Sequence, residues 1–167
     1  RFNYAKVNNR VLNRSNNDVI LLNDDTIVTP GWLNKLRTAS KGFALTGAHT
    51  TPHCSGNPDM WGEGGVKTTD YPINMSCAYI PLRLRQFIGV LDEELVYYGA
   101  EDVDYSIRAL LNGFPLIVSG AFVVHKDNGT FGESKEPLMK ESDKIIYERY
   151  GIESPFNLSK ITPLVSV

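Results

Sequence analysis

The sequence predicts an α/β domain in which strands and helices alternate along the chain around a largely parallel sheet. Two observations support this class. Short apolar runs, each flanked by polar or turn-forming residues, have the length of buried strands. The segments between them carry apolar residues three and four positions apart, as in a helix with one buried face. Because no repeat, low-complexity tract or linker interrupts this pattern, we interpret residues 1–167 as one domain.

The strands are predicted at four apolar runs, 18–22, 43–48, 73–80 and 114–124. The first run stops abruptly at Asn23, and the last ends at His125. Residues 50–70 are rich in Gly, Pro and Thr and show no periodicity, which predicts a long loop. Loops of that length in compact domains are usually functional or mobile.

The helices are predicted from apolar spacing at 3–14, 32–37, 82–88, 103–111 and 136–150. We expect Thr29 to cap the second helix and Pro30 to occupy its first turn. Gly89, Gly113 and Gly151 each follow a helical segment, where glycine commonly ends a helix.

Charge and composition exclude several classes of protein. The chain has 17 Lys and Arg against 19 Asp and Glu, so it lacks the basic excess of a nucleic-acid binder. Its longest apolar runs are too short for a transmembrane segment. Cys54 and Cys77 form no CxxC motif, and we interpret them as reduced thiols. No signal-peptide pattern opens the sequence, and we therefore expect a cytoplasmic protein, peripheral at the membrane if it meets one.

Two adjacent carboxylates follow the first buried strand, in Asn23-Asp24-Asp25-Thr26. Like charges placed side by side repel, and burial strengthens the repulsion. A divalent cation removes this problem, since hard oxygen ligands suit Mg²⁺ or Mn²⁺ bound to a diphosphate. The alternative is that Asp24 and Asp25 only form an Asx-turn, and the pattern alone does not choose between the two.

A second acidic pair, Glu101-Asp102, begins the helix that contains Val103 and Ile107. Acids in a first turn are favoured by the helix dipole, which would also lower the pKa of Asp102. The preceding Tyr-Tyr-Gly-Ala would instead bring a carboxylate into a cleft, where it could accept a proton from a hydroxyl group. His125 follows Phe122-Val123-Val124; a lone His there is usually structural, but beside a carboxylate-bound metal it becomes a nitrogen ligand.

Four segments in succession resemble family 2 glycosyltransferases of the GT-A type, in particular their rhamnosyltransferase-like members. ILLNDDTIVTPGWL is similar to the segment with the DxD-type motif, and YAKVNNRVLNRS to the helix before it. FIGVLDEELVYYGAEDVDYSIRALLNGF resembles the region with the catalytic ED pair, and AFVVHKDNGTFG the metal-ligand His with its mobile loop. The resemblance spans roughly residues 4–132 and implies a GT-A-like open mixed sheet flanked by helices.

The resemblance also implies a role for each matching residue. Asp25 and His125 would ligate Mn²⁺ or Mg²⁺, while Asp24, Asn23 and Asn9 would lie at the nucleotide-sugar donor. Asp102 would be the catalytic base, and Glu101 would orient the acceptor. The implied activity is a hexosyltransferase that moves a sugar from a nucleotide-diphosphate sugar to a hydroxyl of a glycan, lipid-linked sugar or protein, inverting by direct displacement.

The chain departs from the family pattern at three points. Asn23 replaces the first Asp of a strict DxD, and Val11 stands where many members have Gly. The family normally opens with a βαβ unit that holds the base and ribose, and the resemblance begins after it. We therefore expect either a fragment of a longer polypeptide, truncated at its N-terminus, or a minimal or degenerate version of the domain, in both cases without that nucleotide-binding unit.

Three other interpretations remain open. A sugar- or nucleotide-binding module of the same fold without turnover is the main alternative, and an upstream strand-helix-strand unit would separate it from the enzyme. A haloacid-dehalogenase-type phosphohydrolase needs a nucleophilic carboxylate where Asn23 stands. His49, His53 and Cys54 lack a fourth partner for a structural zinc site.

Residues 127–132, after His125, are interpreted as a lid.

Overall fold

The computed structural model describes residues 3–95, 100–126, 135–152 and 157–164. The five helices of these residues are α1 Tyr4–Leu12, α2 Trp32–Ser40, α3 Leu82–Ile88, α4 Ala100–Leu111 and α5 Lys135–Tyr150. The six strands are β1 Val19–Leu22, β2 Thr26–Val28, β3 Leu45–Thr50, β4 Lys67–Thr68, β5 Cys77–Ile80 and β6 Leu116–His125, with a 3-10 turn at Pro58–Met60. The predicted alternation of helices and strands, and with it the α/β class, is confirmed.

The strands form one mixed sheet in the order β1-β5-β3-β6-β2, and β4 pairs with β6 as well. β3 and β6 are parallel, and β1 runs in their direction because both β1 and β3 are antiparallel to β5. β2 and β4 are antiparallel to β6. The prediction of a largely parallel sheet is therefore wrong, since periodicity reports the burial of a strand and not the direction of its neighbour.

Both faces of the sheet are covered. One face packs with α1, α3, α4 and α5 in a large apolar cluster that includes Leu12, Leu45 and Phe114. On the other face, Leu36 of α2 packs in a smaller cluster with Val123. Every residue of β3 is buried, as expected for a central strand covered on both sides. No helix in the described part of the chain is long and apolar enough to cross a membrane.

The predicted helix ends are confirmed at Gly89, Gly113 and Gly151, each of which has a positive φ of 66° to 77°. The predicted cap of α2 is wrong. Gly31 occupies the N-cap position with φ 75°, and the Thr29 hydroxyl donates instead to the Phe122 carbonyl at 2.7 Å. This hydrogen bond links the residues that precede α2 to β6.

Two strands differ from the sequence prediction. The predicted strand 73–80 shortens to β5, because Asn74 Oδ1 accepts from the Ser76 amide at 2.9 Å and holds a turn before Cys77. β2 was not predicted, since its three residues carry too little pattern and its pairing partner, β6, lies about a hundred residues away. The long loop 50–70 is confirmed apart from the 3-10 turn and β4.

Candidate functional site

Three parallel strands end at the same edge of the sheet. β1 leads into the turn Asn23–Thr26, β3 into the loop that begins at Thr51, and β6 ends at His125. In α/β sheets, ligands bind at the carboxyl ends of the strands. This edge holds the first and third elements that the sequence singled out.

The structure brings Asp25 and His125 together. Asp25 Oδ1 lies 3.1 Å from His125 Nε2, and both side chains are largely buried. The antiparallel pairing of β2 with β6 places Thr26 opposite His125, and the Lys126 amide donates to the Asp25 carbonyl at 2.9 Å. A three-residue strand that the sequence did not predict therefore holds the predicted ligand pair in place.

The other ring nitrogen of His125 decides what Nε2 presents to Asp25. His125 Nδ1 lies 3.3 Å from the Cys54 carbonyl, which can only accept, so Nδ1 carries the proton. In a neutral ring, Nε2 then presents a lone pair to a carboxylate. Such an arrangement requires a second proton or a cation between the two atoms.

The two atoms fit a shared divalent cation. Asp25 Oδ1 is buried, and although it lies near Nε2 it has no aligned hydrogen-bond donor. Neighbouring ligands of an octahedral cation bonded at about 2.1 Å lie about 3 Å apart, close to the observed separation. A metal-ligating His commonly donates its second N–H to a backbone carbonyl, as His125 does.

Asp25 and His125 are a partial ligand set. Within the described ranges, no group of three or more His, Cys, Asp or Glu side chains converges on one point. A cation held by this pair would complete its shell with water or with phosphate oxygens, which is the usual way in which Mg²⁺ is bound.

Asn23 and Asp24 belong to the turn beside this pair. The backbone amide of Asn23 donates to the Ser76 carbonyl at 2.9 Å, and the Thr26 hydroxyl donates to the backbone carbonyl of Asn23 at 2.6 Å. Asp24 is exposed, while Asn23 is half-buried. The backbone contacts hold the turn, and the carboxylate of Asp24 lies on its solvent side.

Glu101 and Asp102 lie in the first turn of α4, as predicted. Asp102 keeps some exposure as a residue, but its carboxyl group is surrounded by protein. Burial, and then the charge of Glu101, raise the pKa of Asp102 well above its ordinary value, although the Val103 amide donates to its Oδ1 at 2.8 Å. The expectation that the helix dipole lowers this pKa is wrong, because burial and the like charge outweigh it.

Tyr4 of α1 belongs to the same neighbourhood. Burial, with the nearby charges of Glu101 and Asp102, raises the pKa of its phenol, which therefore stays protonated. Its hydroxyl donates to the Met75 carbonyl at 3.1 Å. The next carbonyl along the chain, that of Ser76, accepts from Asn23. Residues 75–76, which precede β5, therefore contact Tyr4 beside the acid pair and also contact the Asn23–Thr26 turn.

Asn9 is engaged by the fold. It is 2% exposed, and its Nδ2 donates to the Leu91 carbonyl at 2.8 Å and to Glu93 Oε1 at 3.0 Å. Its Oδ1 accepts from the Leu91 amide at 3.1 Å. These contacts hold the 91–93 turn against α1 and give Asn9 a structural role, while the donor role that the resemblance implies stays a prediction.

The three residues of the zinc interpretation point to separate partners. His49 Nε2 lies 3.1 Å from the Gly65 carbonyl, and the His53 ring packs on Trp61 with centroids 4.5 Å apart. Cys54 Sγ lies 3.5 Å from the His125 carbonyl. The zinc interpretation is therefore not supported.

Sequence reasoning missed the residues that support the site. Thr51 Oγ1 accepts from the His125 amide at 3.1 Å, and the Cys54 carbonyl orients the His125 ring. Backbone contacts of this kind leave no sequence signal. Tyr4 could have been noticed as a polar tip on the apolar face of α1. Residues 97–99, which precede the acid pair, and the predicted lid 127–132 lie outside the described residues.

A scan of the chain against protein-family models finds no match, and a search of curated proteins finds no similar sequence.

Proposed function

We propose that this chain is a glycosyltransferase domain of GT-A-like fold, which uses a divalent cation and a nucleotide-diphosphate sugar. The observation that carries the proposal is the Asp25–His125 pair at the carboxyl edge of the sheet. Its carboxylate oxygen lacks an aligned donor, and its imidazole is oriented through Nδ1. The mixed sheet, with helices on both faces, is compatible with that fold.

In this proposal Asp25 and His125 would hold Mn²⁺ or Mg²⁺, which would supply positive charge to the diphosphate leaving group. Asp24 and Asn23 lie on the adjoining turn, where they can contact the donor's nucleotide. The acid-base step is assigned to the acid pair of α4.

Asp102 is the proposed catalytic base, which takes the proton from the acceptor hydroxyl as that oxygen attacks the sugar. A carboxylate with a raised pKa is a stronger base than an exposed one, and it works best when its pKa approaches the operating pH. Glu101, one position before it on α4, would orient the acceptor. A base on the acceptor side favours direct displacement with inversion at the anomeric carbon.

The test combines a donor screen with a matched pair of variants. UDP-, GDP- and dTDP-sugars are incubated with Mn²⁺ and simple hydroxyl acceptors, and release of the nucleoside diphosphate is measured. Mn²⁺ should bind weakly alone and more tightly with the nucleotide diphosphate, and Asp25→Ala should abolish that gain because it removes a ligand.

Asp70→Ala is the control for Asp25→Ala. Asp70 is an exposed acid near the opposite end of β6, where the Thr69 amide donates to the Leu116 carbonyl. Equal Mn²⁺ affinity in Asp25→Ala and in the parent would contradict the metal site. Coupled binding of cation and nucleotide without turnover of any donor would favour the non-catalytic binding module.

A further inference from the structure

A polar cavity lies at the other end of β1 from the Asn23–Thr26 turn. It has a volume of about 450 Å³ and is lined by Asp18, which precedes β1, by Tyr79 of β5, and by the exposed side of α2. β1 runs from Val19 to Leu22 between this cavity and the Asn23–Thr26 turn, a span of about 13 Å at about 3.3 Å per residue. The cavity is therefore separate from the proposed catalytic edge.

One wall of the cavity is a polar stripe on α2. Asn34, Arg37 and Thr38 line it, and Lys41 follows at the end of the helix, so the spacing is that of one helix face. The buried residues of α2, such as Leu36, lie on another face. The stripe offers an amide, a hydroxyl and two cations to the same space.

The cavity is also lined by a hydrogen-bonded pair, the buried Tyr79 and the exposed Asp18. Tyr79 is 4% exposed, and its hydroxyl donates to Asp18 Oδ2 in a short hydrogen bond. Asp18 Oδ1 accepts from the Leu82 amide at 2.8 Å. Both oxygens of the one acid that lines the cavity are therefore engaged, and Arg37 also interacts with the Tyr79 hydroxyl.

The surrounding sequence is basic. Residues 26–58 contain Lys35, Arg37 and Lys41 but no Asp or Glu, while Asp18, before this stretch, is the one acid that lines the cavity. The Arg83 guanidinium lies 5.2 Å from the centroid of the Phe43 ring, next to Gly42, which lines the cavity. Two cations, Arg37 and Lys41, line the cavity beside one acid, so the local charge favours an anion although the whole chain is slightly acidic.

We infer that this cavity binds a phosphate group, held by the Arg37 fork and the Lys41 ammonium and flanked by Asn34 and Thr38. Two cations suit a phosphate dianion better than a single carboxylate, and the planar guanidinium can bind two phosphate oxygens at once. The remaining volume leaves room for a small organic group on the phosphate. This inference does not rest on the proposed transferase activity.

Basic residues near a helix C-terminus are also favoured by the helix dipole, and this alone could account for Arg37 and Lys41. The two explanations differ in what the variants change. A dipole role predicts lower stability without phosphate binding, whereas the proposed site predicts phosphate binding that depends on both cations.

The test uses the intact chain, titrated with inorganic phosphate at constant ionic strength and followed by ¹H–¹⁵N NMR. We expect saturable shifts at Arg37, Lys41 and Tyr79. Arg37→Gln and Lys41→Gln should each weaken phosphate binding at least about tenfold. Lys35→Gln removes a charge from the same helix outside the cavity and should bind as the parent does.

Vesicles distinguish the two sources of phosphate. Sedimentation with phosphatidylcholine vesicles that contain phosphatidic acid, but not with phosphatidylcholine alone, would identify a lipid headgroup if Arg37→Gln abolishes it. Saturable binding of free phosphate without sedimentation identifies a soluble phosphorylated ligand. The inference is overturned if phosphate produces no saturable shifts at the cavity and vesicle binding does not depend on Arg37, or if Lys35→Gln weakens binding equally.

Arg37→Lys covers the case in which a glutamine variant unfolds. It keeps the charge but loses the guanidinium fork. We expect it to bind phosphate more weakly than the parent, while parent-like binding would show that the fork is not used.

Discussion

At the residue scale, two aspartates of α4 have different surroundings, and we assign them different roles for that reason. Asp104 is buried and paired with Arg108 Nε at 2.8 Å, and it accepts from the Tyr150 hydroxyl at 2.5 Å. Asp102, two positions earlier, lies beside the like charge of Glu101 and has a raised pKa. A paired buried acid stabilises the fold, whereas an acid placed against a like charge costs stability and is typical of functional sites.

The first prediction concerns the activity of Asp102→Asn. This variant keeps an oxygen for the Val103 amide but cannot accept the acceptor's proton. Turnover should fall by about 10²–10⁴-fold, which is typical for loss of a positioned base, while donor affinity barely changes. Glu101→Gln is the comparison in steady-state assays. Near-normal turnover in Asp102→Asn beside a collapse in Glu101→Gln would reverse the assignment.

The second prediction follows from the raised pKa of Asp102. A carboxyl whose pKa is higher in the folded state than in the unfolded chain binds more protons when folded. Its contribution is therefore fully present below the ordinary aspartate pKa and is lost as pH rises through the raised value. Asp102→Asn should then be more stable than the parent at neutral pH, with the difference shrinking toward acid pH.

Urea unfolding from pH 4 to pH 8 measures this difference. Asp104→Asn is the matched control, because it breaks a pair with Arg108 and should lower stability at neutral pH. A loss of stability in Asp102→Asn at pH 7 similar to that of Asp104→Asn would show that Asp102 is a structural acid.

At the element scale, buried polar contacts fix the helices around β1. The Arg85 guanidinium of α3 donates to the carbonyls of Leu12, Ser15 and Asn17, which holds the connection from α1 to β1. Asn9 of α1 holds the 91–93 turn in the same way. The apolar spacing predicted which faces of these helices are buried, whereas the polar contacts position the segments that connect them.

The third prediction is that Asn9→Ala destabilises the fold without changing cation-dependent nucleotide binding. The substitution leaves the buried Leu91 amide and carbonyl without their partner, which typically costs about 1–3 kcal/mol per unsatisfied group. Asn8→Ala, which removes one contact to the Tyr4 carbonyl on its own helix, is the control. Parent-like stability together with weaker nucleotide binding would return Asn9 to the donor site.

At the scale of the whole molecule, α5 is joined to α4 and to the turn after α3 by polar contacts. Tyr150 bonds to Asp104, and Arg149 Nη1 lies 2.6 Å from Asp92 Oδ2. These contacts link the last helix to the helix that carries the proposed base. The packing of α5 therefore supports the position of Asp102.

The fourth prediction is that Tyr150→Phe lowers the free energy of unfolding by about 1–3 kcal/mol, because it removes a hydrogen bond to a buried carboxylate. Tyr147→Phe, at a largely exposed tyrosine of the same helix, should have little effect. Urea denaturation of both variants measures the difference. Equal stabilities would show that Arg108 and Arg149 satisfy Asp104 without the hydroxyl.

The sequence by itself determined most helices and strands and the order of the chemical groups along the chain. Local patterns carried this information, since the spacing of apolar residues reports burial and a glycine after the last turn reports a helix end. Asp25, Asp102 and His125 could be singled out because charged or imidazole groups at the ends of apolar segments are hard to explain by packing alone.

Only the tertiary structure decided which of these groups meet and in what state. β2 pairs with β6, about a hundred residues away, and thereby places Asp25 beside His125. The contact of His125 Nδ1 with the Cys54 carbonyl orients the ring so that Nε2 faces the carboxylate. The contacts of Asn9 with the 91–93 turn and the raised pKa of Asp102 likewise depend on groups that folding brings near. Strand direction, tautomer and burial arise from contacts between distant segments, and local sequence patterns do not record such contacts.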